Sequence, residues 1–403
     1  MDILLIPLDV WRCIARYLIT KDNIRLRQVS KHLYQYLHLT EFNTIDYNRN
    51  KVRYNFFSKN TFLEHVCLFN EPLKLDLNPL TRLRSLAIYC CPNINSSCIS
   101  SLAQLTNLKI SDDIIYSVAH LKLLQKLESN YSYILNHVVD LKYLTKLRFN
   151  NKHYESYSLN KLTNLKTLIL SGNIGIKFNN LTQLNRLEIK KGDAQEIDHF
   201  VNLTKLVIPG IKKNYIESGN RLTRLIELHI NDTYYLFDIS EMKYSMNLER
   251  LKASRFSITN DVVRDLAKLA KLTSLSILYP HSKETIQKKI LNLNSLTNLK
   301  ELDMVSCNKV RFPGCIGLTY LSICDVRLRN LDLQKLTNLI SLKISNDKKD
   351  LLFGETYNLN PLVNLKKLSV TNRDLVKWND VKDVYSNLIE FNGRFTFGKE
   401  YFQ

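Results

Sequence analysis

The nine residues LTNLKTLIL at positions 162–170 contain the pattern that decides the fold. Leucines stand at the first, fourth, seventh and ninth positions, and this apolar spacing returns along most of the chain at intervals of about 20 residues. A single unit of this length cannot bury its own leucines, so neighbouring units are expected to stack and share one continuous core. Clear copies are LTRLRSLAI at 80–88, LTQLNRLEI at 181–189, LTRLIELHI at 222–230, LTNLKELDM at 296–304 and LTNLISLKI at 336–344.

About fifteen such copies, ending with a degenerate one at 385–393, match the signature of leucine-rich repeats. In the segment L-x-x-L-x-I the last two apolar residues alternate as on a short strand with one buried face. The predicted fold class is α/β: a leucine-rich-repeat solenoid whose parallel β-ladder forms a horseshoe. We assign residues 61–393 to the solenoid, 41–60 to a linker or N-terminal cap, and 394–403 to a C-terminal cap.

The longer repeats have room for helices on the outer face of the solenoid. Residues 260–272, NDVVRDLAKLAKL, are the clearest candidate, because Val263, Leu266 and Ala270 recur at helical spacing. Asn260 has the type of side chain that caps a helix N-terminus. The sequence therefore predicts a helix over this segment.

Composition and charge restrict the possible environments and partners. The formal net charge of +19 makes nucleic acid or an acidic protein surface a candidate partner, although dispersed lysines also keep an elongated protein in solution. The eight cysteines include no CxxC pair, which favours reduced thiols over disulfides or zinc ligands. The N-terminus has no basic segment of a secretion signal, and no apolar stretch approaches the roughly 20 residues of a membrane span. We expect an intracellular protein, cytoplasmic or nuclear.

No motif for catalysis occurs in the chain. Phosphate-binding loops, nucleophile elbows and zinc-protease motifs are absent. The nine histidines are spread over different repeats without the spacing of metal ligands. We therefore predict no catalytic residue, no metal site and no cofactor, and expect a protein that is not an enzyme.

Residues 1–40 fit no repeat and predict three short helices. Pro7 suits the first turn of a helix, and Val10, Ile14 and Leu18 then follow at one-turn spacing on one face. Three helices over about 35 residues bury too little apolar surface to be stable alone. A partner protein, the repeats, or both are expected to cover the remaining apolar side chains.

The order of residues in this module resembles the F-box, a family of short helical domains. In the family pattern a Leu-Pro pair leads, whereas Ile6 precedes Pro7 here, and Leu33 stands where the family has Trp. The residues that carry the resemblance are Ile6-Pro7, Asp9, Ile14, Tyr17-Leu18, Asp22, Ile24, Leu26, Val29-Ser30-Lys31 and Leu33-Tyr34.

An F-box followed by leucine-rich repeats is a known family architecture. The resemblance implies a non-catalytic substrate-recognition subunit of an SCF-type cullin–RING ubiquitin ligase, in which the F-box docks on the Skp-type adaptor and the repeats bind a target protein. The residues expected to contact the adaptor are Pro7, Val10, Ile14, Leu18, Ile24, Leu26, Val29 and Leu33.

Other interpretations of the N-terminal module and of the charge stay open. The three helices could simply cap the first strand, leaving a repeat scaffold or effector with no link to a ubiquitin ligase. A charge-driven nucleic-acid binder is a third reading, which a steep dependence of binding on salt would support. Copurification with the adaptor separates the first reading from the second.

Side chains between the apolar strand positions are expected to line the concave face, where such solenoids usually bind. Cations dominate these positions in the middle repeats, so we predict an acidic or phosphorylated target protein. The predicted target-binding residues are Lys126, Lys146, Arg148, Arg186, Glu188, Lys190, Lys205, His229, Arg250 and Lys252.

Overall fold

A computed structural model describes most of the repeat region. The residues described are 41–43, 56–111, 115, 117–131, 134–150, 156–171, 175–190, 197, 200–208, 222–231, 245–254, 260–278, 291–305, 309–311, 314–324, 327–328, 333–345, 358–371, 384 and 386–392. The predicted helical module 1–40 and the predicted cap 394–403 lie outside them. So do all the predicted adaptor-binding residues, namely Pro7, Val10, Ile14, Leu18, Ile24, Leu26, Val29 and Leu33.

The chain divides into two compact units, Met1–Leu184 and Asn185–Gln403. In the first unit, parallel strands form a ladder, and a separate pair, β7 and β9, lies between its repeats in sequence. Its elements are β1 (Glu41–Asn43), α1 (Phe56–Lys59), β2 (His65–Phe69), β3 (Ser85–Tyr89), β4 (Asn107–Ile110), β5 (Lys126–Ser129), α2 (Leu135–Val138), β6 (Lys146–Asn150), β7 (Ser156–Ser158), β8 (Thr167–Ser171) and β9 (Gly175–Lys177).

The second unit has the same plan, with a parallel ladder and a small three-stranded sheet of β15, β17 and β19. Its elements are β10 (Arg186–Ile189), β11 (Lys205–Ile208), β12 (Glu227–Ile230), β13 (Arg250–Ser254), α3 (Asn260–Leu266), β14 (Ser274–Leu278), β15 (Leu291–Asn292), β16 (Glu301–Val305), β17 (Lys309–Arg311), β18 (Tyr320–Cys324), β19 (Arg327–Leu328), β20 (Ser341–Ser345), β21 (Lys367–Val370) and β22 (Glu390–Asn392).

Every predicted repeat contributes one ladder strand, which confirms the predicted parallel β-ladder. Successive strands pair in register at the seventh position of the repeat, as in the row of Leu86, Leu108 and Leu127. Each of these leucines is at most 1% exposed. The pleat sends alternate side chains to opposite faces, so one face of the ladder forms the leucine core and the other faces solvent.

Hydrogen bonds at two repeat positions tie neighbouring repeats together. The fifth-position carbonyl accepts two amides of the next repeat, as Glu64 does from Arg84 at 2.8 Å and Ser85 at 2.9 Å. Asparagine at the third position donates its Nδ2–H to a carbonyl of the preceding repeat, which satisfies a polar group at the turn. The donor and acceptor pairs are Asn164 and Lys142, Asn247 and Thr223, Asn298 and Ala270, Asn338 and Ile316, and Asn364 and Thr337.

The helix predicted over 260–272 is shorter than expected. Helix α3 ends at Leu266, with Val263 and Leu266 buried as predicted, whereas Ala270 is exposed and lies beyond the helix. The amide of Leu272 donates to the carbonyl of Leu269, which is the turn that opens the next repeat. The residues from Leu269 onward therefore belong to the next repeat, although their spacing also suited a helix.

Helices were also expected in the other long repeats. In the longest repeat, 269–295, the described outer segment is instead the short strand β15, which pairs in parallel with β17 of the next repeat at Leu291 and Val310, whereas Val384 near the end of repeat 362–384 is helical. When these segments are extended, the backbones of neighbouring repeats can hydrogen-bond to each other as parallel strands.

Candidate functional site

In each unit the candidate site is the solvent-facing side of its strands, which we call the ladder face: the side chains at the sixth and eighth positions of each repeat. Predicted target-binding residues from both units lie on it, and Lys190 is the exception. Lys190 follows the last residue of β10, Ile189, and is exposed. The predicted residues on the ladder face are Lys126, Lys146, Arg148, Arg186, Glu188, Lys205, His229, Arg250 and Lys252.

In the first unit, three strands bring cations around one carboxylate. Glu128 on β5 accepts a hydrogen bond from the Lys146 ammonium at 2.9 Å, and Lys109 Nζ lies 3.4 Å from its second oxygen. Burial raises the pKa of Glu128, but the hydrogen bond and charge of Lys146, with the charge of Lys109, outweigh it and hold that pKa below its ordinary value. Glu128 is therefore a carboxylate at neutral pH.

Two cations on the ladder face of this unit make no ion pair with any described residue. Lys126 and Arg148 are both exposed on the ladder face. Lys126 stands beside Lys146 in the sixth-position row, and Arg148 stands beside Glu128 in the eighth-position row. Their hydrogen-bond donors are available to a carboxylate or phosphate of another molecule, and the arginine can bind such a group through two parallel bonds.

In the second unit, Glu227 holds three donors. Its Oε1 lies 2.8 Å from Lys205 Nζ and 2.8 Å from His229 Nε2, and its Oε2 lies 3.5 Å from the Arg250 guanidinium. Strand register produces this cluster, since Glu227 pairs with Lys205 on one side and Arg250 on the other. Burial raises the pKa of Glu227, but Lys205, His229 and Arg250 outweigh it, and the pKa lies below its ordinary value.

His229 is half-buried beside this cluster. Burial lowers its pKa, the charges of Lys205 and Lys252 lower it further, and Glu227 and Glu188 raise it without reversing the net decrease. The imidazole is therefore neutral at pH 7, and its Nε2–H donates to Glu227. This geometry supports a role in ordering the surface, because the ring nitrogen nearest the carboxylate is already used.

The rest of the second unit's predicted cationic surface is uneven. Arg186 forms an ion pair with Glu188 on the same strand, at 2.5 Å. Val207, 8% exposed, separates Glu188 from His229 in the eighth-position row. Lys252 makes no ion pair with a described residue. The ladder face of β10–β13 thus combines ion-paired charges, the cation Lys252 and one apolar position, Val207.

The described residues do not assemble a reaction centre. They contain no group of three or more His, Cys, Asp or Glu side chains that could hold a metal ion. Burial raises the pKa of Cys315 to about 12, so this thiol stays protonated and unreactive. In this part of the chain, no helix is long and apolar enough to cross a membrane.

Several ladder-face residues were missed by the sequence interpretation. Lys109 and Glu128 complete the first cluster, and Tyr320, Lys343 and Lys367 occupy the sixth and eighth positions of later strands. The repeat alignment contained the signal, because every sixth and eighth position could have been read out to the last repeat.

Comparison with known proteins supports both parts of the chain. A sequence model of the F-box domain matches residues 3–44. No curated protein matches the chain. A leucine-rich-repeat protein of Leptospira interrogans has a similar structure, with a TM-score of 0.51, 17% identity, and coverage of 84% of this chain and 86% of that one.

Two further solved structures are similar at low identity. The TLR13–ssRNA13 complex gives a TM-score of 0.51 at 16% identity, covering 86% of this chain and 62% of that one. The internalin inlF of Listeria monocytogenes gives a TM-score of 0.46 at 20% identity, covering 81% and 86%. Residues 3–44 thus match the F-box domain, and the described repeats have the fold of a leucine-rich-repeat solenoid.

Proposed function

We propose that this protein is the substrate-recognition subunit of an SCF-type cullin–RING ubiquitin ligase. The observation that carries the proposal is the F-box match at residues 3–44, which ends at the first strand of the repeat ladder, β1. The F-box docks on a Skp-type adaptor, and the ladder face binds the protein to be modified. The transfer of ubiquitin belongs to other subunits, and this chain supplies binding alone.

The ladder face supports binding of an acidic or phosphorylated target. Lys126 and Arg148 present donors that form no ion pair with a described residue, whereas Lys146 is already held by Glu128. Ion pairs formed before binding fix the orientation of the surrounding side chains, so less conformational entropy is lost when a target docks. Exposed cations also raise the rate of association with an acidic partner.

Substitution of an apolar F-box residue tests docking on the adaptor. Leu18→Asp places a charge on the predicted contact face, and burying that charge without a partner is strongly unfavourable. We expect pull-down of the Skp-type adaptor by the full-length chain to fall at least tenfold. Leu123→Asp, at a leucine of the repeats that is 39% exposed, is the matched control and should leave pull-down unchanged.

Two outcomes decide the docking proposal. A circular-dichroism melt equal to that of the wild type verifies that each variant keeps the repeats folded. Undiminished adaptor recovery with Leu18→Asp contradicts the proposal and favours a scaffold whose N-terminal helices only cap the first strand.

Charge reversal on the ladder face tests target binding separately. We expect Lys126→Glu/Arg148→Glu to remove copurifying target proteins while the adaptor is retained. Lys122→Glu/Lys142→Glu makes the same change in charge at exposed second positions of the same two repeats, and should leave target recovery intact. Equal recovery with both double variants would exclude this part of the ladder face.

A further inference from the structure

A groove lies on the ladder face of the second unit, near its last strands. Its volume is about 530 Å³, and β18, β20, β21 and β22 line it. This volume lies within the range of cavities that bind small molecules or peptide segments. The side chains that shape it are Tyr320, Ser341, Lys343, Lys367, Ser369 and Asn392.

Short side chains form the depression. In the sixth-position row, Ser341 lies between Tyr320 and Lys367. In the eighth-position row, Lys343 lies between Ser322 and Ser369. Because serines stand on both sides of Lys343 and between the two larger residues of the other row, the groove is open across neighbouring strands.

The charge of the groove comes from two lysines with different environments. Lys367 forms an ion pair with Glu390 at 2.8 Å. Lys343 is exposed and makes no ion pair with any described residue. The nearest acid in its row, Asp303, is two strands away beyond Ser322, at about 10 Å for strands spaced by about 4.8 Å. Lys343 is therefore the cation available to a ligand.

Two partly exposed apolar side chains also line the groove. Tyr320 is 36% exposed and Ile340, which also lines the groove, is 41% exposed. The tyrosine ring and the isoleucine side chain together can cover one apolar side chain of a ligand. Serine hydroxyls and the Asn392 amide can both donate and accept, as the main chain of an extended peptide requires.

We propose that this groove binds an extended peptide segment that places a carboxylate at Lys343 and an apolar side chain against Tyr320 and Ile340. Four strands span about 14 Å, which matches about four residues of extended chain. The inference rests on the proposed function, since it gives the recruited protein a second area of contact, distinct from the cations of the first unit.

Fluorescence anisotropy with the purified full-length chain tests the groove. The probe is a fluorescein-labelled octapeptide of alternating Asp and Leu, and its counterpart has Asn in place of every Asp. We expect the acidic peptide to bind at least tenfold more tightly than the amide peptide, because only a carboxylate forms a charge-assisted bond with Lys343.

Three variants locate the binding site. Lys343→Glu should weaken the acidic peptide at least tenfold, and Ser341→Tyr should do the same by filling the depression without a change in charge. Lys335→Glu, at an exposed lysine directly before the same repeat and outside the groove, should stay within twofold of the wild type. Thermal melts verify that each variant is folded.

The outcomes separate this inference from the proposed function. Equal affinity for both peptides, or an unchanged affinity with Lys343→Glu, contradicts the proposed peptide site, and so does binding of single-stranded RNA by a chain that binds neither peptide. Adaptor pull-down from the same preparations measures docking of the F-box on the adaptor, independently of the groove. If peptide binding depends on Lys343 but the chain does not bind the adaptor, the proposed peptide site is supported and the proposed ligase function is contradicted.

Discussion

Gly314 occupies a position where the backbone of the preceding repeat leaves no room for a side chain. A Cβ added there would collide with the carbonyl oxygen of Asn294 and lie 2.9 Å from its Cα. Both contacts are with backbone, which cannot rotate away as a flexible side chain can. Glycine is therefore required by the close approach of two repeats.

We expect Gly314→Ala to lower the free energy of unfolding by about 1–3 kcal/mol, because the repeats must move apart to admit the methyl group. Gly317→Ala is the matched control, since its nearest neighbour would be the Leu299 carbonyl oxygen at 3.8 Å. That variant should keep or slightly raise stability, because alanine has less freedom in the unfolded chain. Urea denaturation compares the two, and equal stabilities would contradict the argument.

Cys90 shows a second constraint at the scale of one residue. It follows β3 with a φ of 53°, and Asn70 has a φ of 55° at the equivalent position after β2. Asparagine tolerates this left-handed conformation, whereas other residues with a Cβ rarely adopt it. Hydrogen bonding explains how cysteine is held there, since its amide donates to Ser111 Oγ at 3.0 Å.

At the scale of the strand, Glu227 shows how register creates an ion-pair cluster. Its pKa lies below the ordinary value, so folding favours its charged form. The resulting stabilisation is present above the ordinary pKa of about 4.5 and is lost as pH falls through the lower pKa of the folded state. The ion-pair cluster therefore stabilises the folded state at neutral pH, and this stabilisation is lost in acid.

We expect Glu227→Gln to cost a few tenths to about 1 kcal/mol of stability at pH 7, the range of solvent-accessible ion pairs. The difference from the wild type should shrink as pH falls below about 4.5 and also in high salt. Urea denaturation at several pH values measures it. Glu301→Gln, at the same strand position without an ion pair to a described residue, is the matched control and should cost less stability at pH 7.

Strands were predictable from sequence because burial alone sets their pattern. In β3, Leu86 and Ile88 recur with the period of the pleat, and both are buried. The segments between strands were less predictable, since 260–272 suits a helix and a repeat turn equally well by spacing. The segment forms the repeat turn because this conformation buries Leu269 and Leu272 in the core, where they are 4% and 3% exposed.

The candidate site was predictable in position but not in pairing. Repeat alignment places Lys205 and Arg250 on the ladder face, and it cannot say that both reach Glu227. That outcome depends on rotamers and on which repeats are neighbours in register. The groove at Lys343 depends on the small size of Ser322 and Ser369 beside it, which becomes informative only once the strands are ordered.

At the scale of the whole molecule, the charge of +19 raises the question of nucleic-acid binding. Many ladder-face cations are already paired, as Lys146 is with Glu128 and Lys205 with Glu227. A partner protein can use the remaining donors at defined places, whereas a nucleic acid would respond to the number of charges. The two kinds of binding therefore predict different responses to the same charge reversals.

We expect single-stranded RNA to bind with a Kd of about 10 μM or weaker at physiological salt, without preference among sequences, and to dissociate steeply as salt rises. Lys126→Glu/Arg148→Glu and Lys122→Glu/Lys142→Glu should weaken RNA equally, because each pair removes the same charge. Only the first pair should affect the target protein. Filter binding across a salt series measures these affinities. A Kd below about 1 μM for one RNA sequence but not for others would make RNA a specific ligand.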